Sequence, residues 1–270
     1  MLEARQSHTG EADSFIPRAI VHRLDRGTTG LMLIAKSEVA EQQLTEHFKQ
    51  RTTVKRYVAL LSGWPNASAP GAAAIDDEDG SASSGGGLGG GGGMRIHIDV
   101  PIDRDPNRPG KMRAVVPNGG QGLSLSRGGG GKAARSILYI HAHSAELNVT
   151  LCSVDLLTGR QHQIRVHCAH LGAPLINDDA YGSATGVGAG RSGSASLCEQ
   201  LGPFARGRPL LHAWSMEVER PQATTPTPRP TLTLRAPLPP DMHAVIAKLW
   251  PDLAQTVGPS EWPLLSATPQ

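Results

Sequence analysis

The chain has 270 residues, 39% of them apolar and 4% aromatic, with 32 glycines and 21 prolines, so it can bury a substantial core but cannot commit its whole length to one. Its formal charge is +2, and setting aside the acidic run DDED at 76 to 79 leaves the remainder about four units more positive, which is compatible with a polyanionic partner. Cys152, Cys168 and Cys198 are too widely spaced for a disulfide framework or a thiolate zinc site, and no segment has the make-up of a transmembrane helix or secretory signal. A soluble intracellular protein is expected, in the cytoplasm or an organelle, with no membrane partner.

Residues 1 to 18 are polar and patternless and are expected to be disordered or a remnant. AIVHRLD (19 to 25) then reads as a short strand and turn and LMLIAK (31 to 36) as a buried strand, which places Asp25 on the loop between them. Ser37 is a plausible N-cap for a surface helix through EVAEQQLTEHFKQ, where Ala40, Leu44 and Phe48 recur at four-residue spacing. VKRYVALLSG has strand alternation, with Tyr57 on the face opposite Val54, Arg56 and Val58. Residues 64 to 93 include SASSGGGLGGGGG, a composition that cannot offset its ordering entropy, and are expected to form a disordered insertion. MRIHIDV resumes strand pattern, PIDRDPNRPGKMRAV reads as a basic loop, and 117 to 132 as a second glycine-rich insertion.

SILYIHAHS and ELNVTLCSV read as two more strands. The segment TGRQHQIRVHCAHLGAP reads as a helix, with a capping box at Thr158 and Gln161, an apolar line through Ile164, Cys168 and Leu171, and a stop at Gly172 and Pro174. A third insertion at 183 to 207, strands at LLHAWSMEVE and TLTLR, a helix at PDMHAVIAKLW and a tail at 251 to 270 complete the chain. Scattered helices among more numerous strands predict one α+β domain over 19 to 250, built on a mixed, largely antiparallel sheet with flanking helices. A sheet split into two halves by the insertions is the alternative.

Taken one at a time, the polar residues have ordinary explanations. Asp25, between Arg23 and Arg26 and ahead of Thr28 and Thr29, suits a turn cap or a surface ion pair. His162, His167 and His170 could suggest a metal, but only the last two share a helical face, and no carboxylate or cysteine pattern accompanies them, so no metal is expected. Arg160 near a helix N-terminus favours anions, Arg165 lies further along the helix, and Tyr57 suits a half-buried strand.

Read together, the segments resemble the RluA-type pseudouridine synthases over roughly residues 19 to 245. HRLDRGTTGLMLIAKS is similar to that family's H-R-L-D-x-x-T-(S/T)-G-L signature, KRYVALLSG to its K-x-Y-x-A strand, and LLTGRQHQIRVHCAHLGAPLINDDAYG to its T-G-R-x-H-Q-I-R-x-H block. PIDRDPNRPGKMRAV and PLLHAWSMEVE with LTLRAPLP match weaker family segments. Several blocks in the family's order are far more specific than any single motif.

The resemblance implies a pseudouridine synthase-like fold and a monomeric enzyme that isomerises uridine to pseudouridine in ribosomal, transfer or messenger RNA without metal or organic cofactor. It implies Asp25 as the catalytic carboxylate, Arg165 as the basic residue that pairs with it, and Tyr57 as the ring set against the uracil. Arg23 would enter the RNA stack where the uridine leaves it, and Arg160, Lys111 and Arg113 would contact phosphates. A lone acid suits this chemistry, because a hydrolase needs a second group to activate water whereas an isomerase must exclude water. Asp25 could attack the sugar, add to the base or remove a sugar proton. The family's opening strand with a Lys-Pro-Gly segment has no counterpart in residues 1 to 18, and no S4-like domain is recognisable. A truncated relative that binds RNA without modifying it is therefore the alternative to an active synthase.

Overall fold

A computed structural model describes residues 20–75, 94–116, 130–182, 200–202, 207–221 and 230–256. In chain order its elements are β1 (Thr29–Gly30), α1 (Glu38–Gln50), β2 (Val54–Ser62), β3 (Ala72–Ile75), β4 (Arg95–Asp99), β5 (Ile102–Arg104), β6 (Met112–Ala114), β7 (Arg135–Ser144), β8 (Val149–Leu156), α2 (Gln163–His170), β9 (Leu211–Glu219), β10 (Thr231–Arg235), α3 (Pro240–Leu249) and α4 (Pro251–Thr256).

β2 holds the arrangement together. It lies between β8 and β9 in a sheet ordered β1-β9-β2-β8-β7-β4-β3, and β10 also pairs with β9. The β1–β9 pair is parallel and the other pairs of the sheet are antiparallel, so the fold is α+β with a mixed, largely antiparallel sheet. An unbroken ladder from β9 to β3 rules out the split sheet. Side chains alternate along β2 as a strand requires, but both faces are covered. Tyr57, Ala59 and Leu61 pack with Ile164, Cys168 and Leu171 of the α2 side. Val58 and Leu60 pack with Met242, Val245 and Ile246 of α3. Against β9, Arg56 pairs with Ser215 and Tyr57 with Ala213, which leaves Trp214 as the extra residue of a β-bulge beside the tyrosine.

Helix α1 begins where its cap foretold, with Ser37 Oγ accepting from the Ala40 N–H at 3.2 Å. Elsewhere the structure corrects the sequence reading. LMLIAK is not a buried strand: Met32 and Ile34 are 45% and 54% exposed, and its pairing is a single bridge between Ile20 and Ile34. The basic loop at 101 to 115 contains the hairpin β5–β6, closed over a turn in which Asp105 holds Arg108. Residues 64 to 75 belong to the fold, not to an insertion, since β3 pairs with β4, Ala69 joins the core and the Asn66 N–H bonds the Leu171 carbonyl. Lys132 and Ile102 exchange backbone hydrogen bonds, so 130 to 132 also belong to it. Leu201, inside the third expected insertion, is buried against the α3 side. The expected tail starts as α4, whose Leu253 and Ala254 pack on that same core. The rest of the expected insertions (76–93, 117–129, 183–199 and 203–206), the first nineteen residues and 257–270 lie outside the described residues. Among the described residues no helix is long and apolar enough to cross a membrane.

Candidate active site

The HRLD loop is fixed by contacts on either side of its acid's side chain. The Thr28 N–H closes a turn onto the Asp25 carbonyl at 2.9 Å. Gly30, at φ 115°, lies so close to β9 that a Cβ there would stand 2.2 Å from the Ala213 oxygen, so no other residue lets β1 pair with that strand. Thr29 Oγ1 meets His212 Nδ1 at 2.9 Å. Arg208 reaches back from the other side, donating to the Gly27 and Leu211 carbonyls while its second terminal nitrogen binds Asp241 of α3. His22 Nε2 accepts the Leu33 N–H at 2.8 Å and its ring stacks on Phe48 at 4.6 Å. Burial, with the charge of Lys55, pulls the His22 pKa down to about 4, so the ring is neutral, as an acceptor must be. Among the described residues the Asp25 carboxylate makes no hydrogen bond or ion pair, and it is left facing a cleft of about 480 Å³.

Tyr57 lines the same cleft, 8% exposed, with Leu156, Ile164 and Leu211 around it. Burial and then the negative charge of Asp25 raise its pKa to about 12, so the phenol is protonated at neutral pH. Arg23 and Arg160 line the cleft as expected, and Arg160 Nε is tied to the Ala133 carbonyl at 2.9 Å.

The α2 side is a connected polar framework. Helix α2 starts at Gln163, after His162 turns the chain in the left-handed region at φ 56°. The expected capping box is replaced by Gln163 itself, whose Oε1 accepts from the Thr158 hydroxyl at 2.7 Å and the Arg160 N–H at 3.0 Å. The left-handed residue at 162 prevents an ordinary cap from forming. Gln163 Nε2 donates to the Arg135 carbonyl and to Ser136 Oγ. Ser136 in turn meets His167 Nδ1, and His167 Nε2 meets the Val100 carbonyl at 3.0 Å. Because Val100 offers an acceptor, His167 carries its proton on Nε2 and takes the Ser136 hydroxyl proton at Nδ1. The Tyr181 oxygen accepts the Met112 N–H at 2.9 Å and shares a hydrogen bond with His162 Nδ1 at 2.7 Å.

Arg165 departs from expectation. Instead of pairing with Asp25, it makes a bidentate pair with Asp178, Nε and Nη2 lying 2.8 and 2.7 Å from the two carboxylate oxygens. Asp178 is chosen because it already accepts the Ala180 and Tyr181 N–H groups and is fully buried with the arginine. Burial acts against the Arg165 charge, but the bonds to Asp178 outweigh it and the pKa is raised. Asp25 acts on Arg165, His162 and Tyr181 through its charge.

Lys111 and Arg113 are not brought into the cleft. The Lys111 ammonium bonds the Ala180 carbonyl at 3.1 Å, and Arg113 lines a separate hollow of about 310 Å³ with Arg108, His170 and Tyr181. Sequence reasoning missed Lys49, Arg51 and Lys55 on the cleft wall, and Asp178 and Arg208 behind it. Lys55 stands two residues before Tyr57 and so shares its face of β2, a signal that strand periodicity alone could have supplied.

Residues 16–170 match the model of a family described as RNA pseudouridylate synthase. The chain belongs to the RNA pseudouridylate synthase family. The matched stretch contains Asp25, Tyr57 and Arg165 but stops short of Asp178 and Arg208, which enter through the fold. Similar relatives of this family member include RNA pseudouridine synthase 2, chloroplastic, of Oryza sativa, 31% identical over 81% of this chain and 44% of that protein. Ribosomal large subunit pseudouridine synthase D of Nitrosomonas europaea is 31% identical over 91% of this chain and 55% of that one. The chain thus spans about half the length of these relatives. Among solved structures, Human RNA Pseudouridylate Synthase Domain Containing 1 shares the fold at a TM-score of 0.53, with 24% identity over 84% of this chain and 72% of that one.

Proposed function

We propose that this family member isomerises uridine to pseudouridine within RNA, acting as a monomer with Asp25 as its catalytic carboxylate. The observation that carries the reading is the Asp25 side chain, unpaired among the described residues, facing the same cleft as the buried ring of Tyr57. Cleaving the N1–C1′ bond develops positive character at C1′, and a carboxylate with no competing partner is free to stabilise or attack it. The neutral Tyr57 phenol packs against the base and keeps water from the detached uracil. Any part it takes in removing the C5 proton must begin with loss of its own.

Arg165 has a different part from the pairing expected of it. Locked on Asp178, it supplies a fixed positive field near Asp25 without occupying the carboxylate's lone pairs. Arg23 at the rim takes the place of the extruded nucleotide, and Arg160 holds a phosphate on the α2 side. The names of the bacterial relatives make large-subunit ribosomal RNA the first substrate to try. The two buried free thiols, Cys152 and Cys168, suit a reducing intracellular compartment.

The test compares wild type with Asp25→Asn at matched folded fraction, reading tritium release from C5-labelled uridine RNA beside filter binding. The expected result is release by the wild type, none by Asp25→Asn, and RNA affinity changed by less than about threefold, since binding rests on cations. Release that persists in Asp25→Asn removes Asp25 from the chemistry. Binding without release by the wild type on every RNA tried points to the binding-only relative.

A further inference from the structure

Several half-buried arginines are neutralised by carboxylates, and Lys111 and Arg160 are tied to backbone carbonyls. Arg56 holds Glu217 and Asp155 at 2.7 and 3.3 Å, Arg165 holds Asp178, and Arg208 holds Asp241. Lys55, half-buried, and Arg51, exposed at its rim, line the cleft and, among the described residues, have no carboxylate within 4 Å. Lys55 is half-buried, its ammonium 5.7 Å from the centre of the Phe48 ring and beside Gly159, where an added Cβ would lie 3.4 Å from Nζ. Burial and then the charge of Arg51 lower the Lys55 pKa, so the two cations are held together against their mutual repulsion.

Arg51 itself ends α1 in the left-handed conformation, at φ 61° and ψ 32°. Glycine normally fills that position, and a side chain there costs about 1–2 kcal/mol. A protein that sets a long cation on a strained cap, next to a half-buried lysine with no carboxylate beside it among the described residues, has left room for an anion. The position of that anion follows from β2. Lys55 and Tyr57 are two residues apart on one face of a strand flanked by ladders on both sides, about 7 Å from each other. A base resting on Tyr57 therefore has its own backbone within reach of Lys55.

We propose that Lys55 and Arg51, with Lys49 at the rim, form a phosphate-binding subsite that grips the RNA backbone beside the uridine held on Tyr57. This rests on the reading of the cleft as an RNA site. Arg160 lines the same cleft and adds a further cation to it, so the strand is held at more than one point while the nucleotide turns toward Asp25. Lys49 contributes least, being 76% exposed and shared with Glu46 at 3.5 Å.

The experiment measures binding of a labelled stem-loop RNA with uridines in its loop, by anisotropy across a salt series, together with tritium release from the same RNA. It compares wild type, the double variant Arg51→Gln with Lys55→Met, and Lys248→Gln, which removes a charge from α3 on the opposite side of the sheet. The double variant, folded by circular dichroism, should lose about tenfold or more in affinity. Its dependence of log K on log salt should become shallower by about 0.7 to 1.4, the value for one or two phosphates of a single strand. Its KM should rise more than its kcat falls, and Lys248→Gln should match the wild type in all three. Unchanged affinity and slope in the folded double variant overturn the subsite, as does an equal change in Lys248→Gln. If the wild type binds but releases no tritium, the catalytic reading fails while the salt slopes still decide the subsite; a wild type that does not bind overturns both.

Discussion

The two walls of the cleft are built by opposite rules. On the α2 wall the buried polar groups have partners: Arg165 with Asp178, Gln163 with Thr158 and Ser136, His167 with Val100. On the α1 wall Arg51 and Lys55 face the cleft with no acid within 4 Å among the described residues. The α2 wall contributes stability and holds its shape before any ligand arrives, while the α1 wall gives up stability to keep charge available. A polyanion needs both, a rigid surface against which a base is positioned and cations not already committed elsewhere.

Cutting into the α2 framework should do the most damage. Asp178→Ala leaves Arg165 buried without its counter-ion and two N–H groups without their acceptor, so a loss of about 3–5 kcal/mol is expected in denaturant unfolding. A loss below about 1 kcal/mol would mean that the pair is solvated and that the contrast between the walls is false.

Acid should act on the same wall more gently. Burial lowers the His167 pKa from 6.5 to about 4, so the folded form resists a proton that the unfolded chain accepts. Above pH 6.5 both states are neutral and nothing is lost; as pH falls from 6.5 to about 4, stability declines, by about 3 kcal/mol from this group. Thermal melts at stepped pH test this, and His167→Gln should flatten that part of the profile.

The smallest expected effect has the opposite sign. Arg51→Gly relieves the left-handed cap at the cost of a more flexible unfolded chain, and the balance is a gain of about 0.5 kcal/mol. A melting temperature that rises while RNA affinity falls would display the α1 wall's trade in one variant. A fall in both would show Arg51 to be a structural cap.

What was legible in the sequence follows the same division. Strands and helices whose pattern is local were read well, as at Ser37 with α1 and at VKRYVALLS with β2, because caps and periodicity act within a few residues. LMLIAK misled because an apolar run implies burial only if something covers it, and Met32 and Ile34 are left uncovered. Residues 64 to 75 were hidden by the glycine-rich run beside them, although Ala69 and β3 belong to the core and the sheet. Asp25, Tyr57, Arg23 and Arg160 were found through family motifs and do share one cleft. The partner of Arg165 was not readable, since Asp25 and Asp178 are both acids and only tertiary packing selects between them.

The register of β3 against β4 has a consequence for how this chain can vary. Ile75 is paired with Arg95, so the two ends of the connection between β3 and β4 are neighbours, on strands separated from β2 by β8 and β7. The entropy of closing such a connection grows only with the logarithm of its length, about 0.6 kcal/mol for each doubling. Chain can be added or removed there at little thermodynamic penalty and without shifting the register of the strand that carries Lys55 and Tyr57, so this edge is where length variation is best tolerated.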